Sequence, residues 1–179
     1  DLTEEITRIY GYDKIEPVSV RGEKSVTASA ETLNLSRART ARAAMTAAGL
    51  NECVTWSFMP KALAQHFGSN DNAALTLKNP ISSELDQMRP SILPNLIEAA
   101  GRNESRGFAD VSLCEVGPVF RSSKPNGQDY VAAGIRAGAH VSRHWSEDAV
   151  ARDVDAYDAK ADAIAVLFVV PHAMVLGGG

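Results

Sequence analysis

Cysteine is scarce in this chain. Of 179 residues only Cys53 and Cys114 are thiols, far apart in sequence, without CxxC or zinc-type spacing and each within an apolar run. That argues against a disulfide framework or a zinc module, and predicts buried free thiols suited to a reducing cytosol. Basic charge is lacking as well. With a formal net charge of -4 the chain does not coat itself with nucleic acid by phosphate neutralisation, so any RNA contact is expected to be partial. No apolar run is long enough for a membrane span: residues 161–174, the longest, are broken by Asp162, Pro171 and His172. No secretory leader is visible, and the expectation is a soluble, cytoplasmic protein. Also missing are a glycine-rich nucleotide loop and any Ser/His/Asp or Cys/His set pinned by a local motif.

What is present is enough for one core of ordinary size, since 45% of the residues are hydrophobic. Leu2, Ile6, Ile9 and Tyr10 follow helical spacing and Gly11 supplies a stop, so residues 1–10 read as a short amphipathic helix. Asp1, Glu4, Glu5 and Arg8 fall on the opposite face. Residues 16–31 change to Pro, Ser, Thr, Lys and Glu, which reads as a linker with a boundary near Val20. Residues 33–48 read as a helix carrying Arg37, Arg39 and Arg42, residues 52–58 as a strand, Pro60 to Phe67 as a short helix and residues 75–78 as a strand. A short strand around Gln87 to Arg89 then leads into a helix with Pro90 and Pro94 at its start. Residues 110–120 and 130–140 pair as a hairpin, residues 154–157 form a strand, and residues 159–168 a covering helix. This order predicts an α+β fold, an antiparallel sheet carrying helices. Both ends read as cut, as in a piece of a longer polypeptide.

Three groups invite a chemical reading. Asp1, Glu4 and Glu5 offer hard oxygens on one helical turn, as magnesium prefers; the same pattern is also a capping box, with Glu4 placed to pair with Arg8. His140 and His144 are four apart, but GAHVSRHW reads as a strand end and a loop, where that spacing does not bring two ligands together. Glu115, in an apolar strand, reads as a functional acid, as a strand residue facing solvent or as the partner of an arginine.

Several stretches in order resemble one family, the β subunit of bacterial phenylalanine–tRNA ligase. Asp1-Leu2-Thr3-Glu4-Glu5-Ile6 through Arg8-Ile9-Tyr10-Gly11-Tyr12-Asp13-Lys14-Ile15 is similar to the end of its B5 domain. Asn79-Pro80-Ile81-Ser82-Ser83-Glu84, Met88-Arg89-Pro90-Ser91-Ile92-Leu93-Pro94, Cys114-Glu115-Val116-Gly117-Pro118-Val119-Phe120, His144-Trp145 and Val154-Asp155-Ala156-Tyr157-Asp158-Ala159-Lys160 resemble its catalytic-like B6/B7 domain. The chain departs from the family where Cys114-Glu115-Val116-Gly117 replaces the common Phe-Glu-Ile-Gly. It departs again where Lys160-Ala161 replaces Lys-Gly, which puts the turn geometry there in question.

The resemblance implies residues 1–20 as the end of B5 and residues 21–179 as an incomplete class II aminoacyl-tRNA synthetase-like core, an antiparallel sheet flanked by helices. It implies a non-catalytic role: scaffolding the α subunit, which binds ATP, within an (αβ)2 heterotetramer that attaches phenylalanine to tRNA(Phe). No catalytic residue is carried over, and the isolated piece is expected to be inactive. The family's acidic helix contributes to a magnesium site shared with α, and its Asp-x-x-Glu-Glu matches Asp1, Glu4 and Glu5, with a further acidic ligand upstream of this chain. Two rival readings remain: a stand-alone nucleotide-using enzyme working through Glu115, Arg89 or Arg121, and an RNA-binding module working through Arg37, Arg39 and Arg42.

Overall fold

A computed structural model of the chain describes residues 1–19, 30–68, 73–140 and 152–170. Val20, His144, Trp145 and His172, on which readings above fall, lie outside them. The chain divides into two compact units, Asp1–Ala30 and Glu31–Gly179. In the first, α1 (Leu2–Tyr10) ends at Gly11, whose φ of 109° is a conformation that suits glycine, and a 3-10 turn follows at Tyr12–Lys14. Leu2, Ile6, Ile9 and Tyr10 form the expected stripe, and all four are exposed.

The second unit is built on a ten-residue hairpin. β4 (Val111–Phe120) pairs antiparallel with β5 (Gln128–Ala137) along its full length, Val111 opposite Ala137 and Phe120 opposite Gln128, around a 3-10 turn at Pro125–Gly127. β1 (Asn51–Glu52) adds to the other edge of β4 in parallel, giving the order β1-β4-β5. Helices cover both faces of this sheet. On one lies α2 (Leu33–Ala47), N-capped by Thr32, whose hydroxyl accepts from the Leu35 amide. Its buried residues Ala38, Ala41 and Met45 are small or pliable, which lets the helix sit close to the strands. They meet Leu50, Cys114, Val116 and Val170, the last from the end of α5 (Ala156–Val169). On the other face lies α4 (Leu93–Glu104), where Ile92 and Leu96 pack with Val119 against Leu113, Val131, Ala133 and Ile135. Even-numbered β4 residues thus face α2 and odd-numbered ones face α4, the period-2 alternation of a strand buried on both sides.

Several local expectations give way. The predicted strand at 52–58 breaks into β1 and β2 (Phe58–Met59), the second paired antiparallel with β3 (Gln87–Met88), because residues 53–57 are drawn into side-chain contacts described below. Residues 75–78 form no strand: a 3-10 turn spans Ala73–Leu75, and only Thr76 bridges, to Gln87. Pro60 is the N-cap of α3 (Lys61–Gln65) and not its first helical residue. Residues 154–157 are no strand either. Asp155 caps α5 by accepting from the Tyr157 and Asp158 amides, so the helix starts at Ala156, and only Asp153 bridges, to Ala139. Ala161 therefore lies inside a helix, where alanine is well suited and no turn is needed.

Two arginines tie the layers together. Arg136 of β5 holds Asp162 of α5 through two bonds of 2.7 and 2.9 Å and donates to the Ala48 carbonyl at the end of α2 at 2.7 Å. Arg152 donates twice to Asp158 at 2.7 Å, and His140 Nδ1 lies 3.0 Å from the same carboxylate. The Arg152 bonds, aided by the Asp155 amide, hold the Asp158 carboxyl well below the usual carboxylate range. A depressed folded-state value stabilises the fold above the unfolded value of about 4, and that contribution is lost as pH falls through the folded value. Urea unfolding should therefore show Asp158→Asn less stable than wild type at neutral pH, with the difference shrinking below about pH 4. A constant difference down to strongly acidic pH would contradict this latch.

Candidate functional site

The most enclosed polar cluster sits on the α4 face of the hairpin. Glu115 and Arg89 are 4% and 1% exposed. Arg89 Nη1 donates to Glu115 Oε1 at 2.8 Å and to Thr55 Oγ1 at 3.0 Å, and Nε donates to the Pro118 carbonyl at 2.8 Å. Thr55 Oγ1 in turn donates to Glu115 Oε2 at 2.6 Å. Backbone bonds frame the group: the Arg89 amide donates to the Ser57 carbonyl and the Phe120 amide to the Arg89 carbonyl, both at 3.0 Å. Gly117 makes room for it, since a Cβ there would lie 2.7 Å from Arg89 Nη2. Burying a guanidinium requires a countercharge and hydrogen-bond acceptors, and all of these come from inside the fold. Of the three readings of Glu115, its burial removes the solvent-facing one and its bond to Arg89 favours the arginine partner. Arg121 is likewise engaged, 2.7 Å from Asp129.

The basic helix face disperses. Arg42 pairs with Glu52 at 2.9 Å and donates to the Val116 carbonyl at 3.0 Å, Arg39 pairs with Glu31 at 2.9 Å, and Arg37 is half-buried with its Nε enclosed. Cys114 is buried and Cys53 only half-buried. Their side chains join the clusters on opposite faces of the sheet. Burial pushes the Cys114 thiol up to about 11 and raises Cys53 as well, which suppresses thiolate chemistry at neutral pH.

Asp1, Glu4 and Glu5 stand on the exposed first turn of α1. Glu4 accepts from the Asp1 amino group at 3.0 Å, and Glu5, not Glu4, takes Arg8, at 2.8 Å. The i,i+3 pair replaces the expected i,i+4 pair because Glu4 is turned back to the helix start. The donors are of the type magnesium prefers. Among the described residues, however, no three His, Cys, Asp or Glu side chains converge to hold a metal ion, so this chain alone does not form a closed site.

A family model for the phenylalanyl tRNA synthetase beta chain CLM domain matches residues 20–170. The chain belongs to that family. Curated relatives named phenylalanine–tRNA ligase beta subunit include those of Rhodospirillum rubrum, 48% identical, Paramagnetospirillum magneticum, 47%, and Bartonella quintana, 44%. Each alignment covers 93% of this chain, which spans only about a fifth of these relatives' length, 20–21%. Among solved structures, a histidine–tRNA ligase subunit from Alicyclobacillus acidocaldarius aligns over 86% of this chain and 42% of its own, at TM-score 0.52 and 12% identity. A pyrrolysyl tRNA synthetase from Desulfitobacterium hafniense aligns over 75% and 44%, at 0.51 and 13%. The phenylalanyl-tRNA synthetase β-chain domain thus has the class II synthetase-like fold, its sheet flanked by helices.

In this β-chain domain, Arg89, Glu115 and Gly117 stand in two of the stretches that carry the family likeness, and their position gives those stretches a structural reason. Thr55 and Trp56 escaped the sequence reading, because nothing local marks a threonine whose partners lie 34 and 60 residues away. Breaking a buried pair by removing one partner costs about 3–5 kcal/mol, whereas replacing both by apolar groups costs far less. Arg89→Met and Glu115→Leu should each destabilise the fold by about that much, and the two together by less than the sum of the single changes. Urea unfolding of the four proteins measures this; additive losses would contradict the pairing.

Proposed function

We propose that this chain is a non-catalytic, class II synthetase-like part of a phenylalanine–tRNA ligase β subunit. In this reading it scaffolds the α subunit in a cytoplasmic (αβ)2 heterotetramer and supports ATP-dependent attachment of phenylalanine to tRNA(Phe). The observation that carries the non-catalytic part is the Arg89–Glu115–Thr55 cluster, whose buried polar groups are bonded to each other and to the Pro118 carbonyl. The absence of any long apolar helix among the described residues suits a protein that works away from membranes. The stand-alone enzyme loses support because two of its proposed groups, Arg89 and Glu115, are buried against each other. The RNA-binding reading loses support because Arg39 and Arg42 are paired with carboxylates.

The test is reconstitution. Full-length β subunit alone, given ATP, phenylalanine and tRNA(Phe), should charge no tRNA, and adding the α subunit should restore charging. Robust charging by β alone would overturn the division of labour.

For Asp1, Glu4 and Glu5 the proposal is limited to the assembled enzyme, where groups from outside this chain complete a hydrated magnesium site. Among the described residues Glu5 is held by an ion pair with Arg8 between exposed groups, and such pairs are weak, worth about 0–1 kcal/mol. Glu4→Ala with Glu5→Ala in the heterotetramer should raise the magnesium needed for activity or weaken assembly. A magnesium titration and a sedimentation profile both unchanged from wild type would return the turn to a capping role.

A further inference from the structure

Asn126-Gly127 is the one Asn-Gly pair in the chain; every other asparagine precedes a residue that carries a Cβ. Such a pair is prone to close on itself, because no side chain shields the glycine nitrogen and the permissive backbone lets it reach the asparagine side-chain carbonyl. Asn126 is exposed at the tip of the hairpin, in the 3-10 turn Pro125–Gly127 between β4 and β5.

Packing fixes the second residue of the pair. Gly127 is buried, and a Cβ there would collide with the Ser122 hydroxyl and lie 2.9 Å from the Ser122 amide nitrogen, so no other residue fits the turn in this shape. The same turn restrains the reaction. The Gly127 amide donates to the Lys124 carbonyl at 2.9 Å, and the Gly127 carbonyl accepts from the Arg121 amide at 2.7 Å. Pro125 stiffens the turn from within, and the ion pair of Arg121 with Asp129, at 2.7 Å, closes its base. To attack Asn126 the Gly127 nitrogen must lose its proton, and with it the bond to Lys124, so the turn has to open first.

We propose that Asn126 is a spontaneous modification site, held latent by the turn and released when the hairpin tip opens. In the open turn the Gly127 nitrogen gives its proton to a solvent base and bonds to Asn126 Cγ, the Cγ–Nδ2 bond breaks, and the amide nitrogen leaves as ammonia with a proton from water. Water then adds to either carbonyl of the five-membered imide, giving aspartate or isoaspartate, with no group oxidised or reduced. Isoaspartate routes the main chain through the former side chain and lengthens it by one carbon. The Gly127 bond to Lys124 and its contact with Ser122 then no longer form together, so a passing opening of the tip becomes a permanent one and a negative charge is added there. This chemistry is independent of the function proposed above.

The test is peptide mapping by mass spectrometry of the full-length subunit in complex with α, incubated at mildly alkaline pH beside a free peptide of residues 121–129. Asn126 should convert at least tenfold more slowly in the complex than in the peptide, with isoaspartate as the main product. Pro125→Ala, an exposed change that loosens the turn, should speed conversion in the complex about two- to fivefold. The same change in the peptide should leave the rate nearly unaltered. Equal rates in complex and peptide, no isoaspartate at Asn126 after a hundred peptide half-times, or no acceleration by Pro125→Ala in the complex would each overturn the site.

Discussion

Arg89 reaches from the end of β3 into the sheet and binds two separate parts of the chain: the 55–56 segment, and β4 through Glu115 and the Pro118 carbonyl. A cation this deeply buried is unstable unless every partner is in place, so its position constrains all of them. Residues 53–57 leave strand geometry to supply Thr55 and the Trp56 carbonyl, β4 carries a carboxylate in an otherwise apolar strand, and position 117 is held open as glycine.

The two faces of the hairpin divide the work. Toward α2 and α5 the contacts are small and apolar, sealed by Arg136 on Asp162 and on the end of α2. Toward α4 the apolar cluster of Ile92, Leu96 and Val119 is joined by the polar group around Arg89. A buried ion pair adds little net stability over apolar packing, but it tolerates few alternative arrangements. Its place in the stretches that mark the family thus has an architectural reason.

Much of this was legible in the sequence. Alternation in β4 and β5 and the turn formers between them announced the hairpin, and the prolines at the start of α4 marked one of its covering helices. What failed was short and decided by distant partners. Residues 75–78 have strand-like composition but find only one bridging partner, and Val154 to Tyr157 has strand-like residues until Asp155 caps a helix. Thr55 and Asn95 are ordinary polar residues in sequence, and their roles depend on Glu115 and on the Trp56 carbonyl, far along the chain. Glu115 lay between these extremes: a carboxylate in an apolar strand signals a special role, but only the nearby arginine says which.

We propose that the charged groups of this class II-like sheet serve the fold and not a nucleotide: Arg89 and Glu115 are buried against each other, and the exposed Arg121 is paired with Asp129. Calorimetric titration of ATP into the full-length β subunit, without α, tests it most directly. The account predicts no saturable heat at millimolar ATP; micromolar binding that disappears in Arg121→Ala would contradict it.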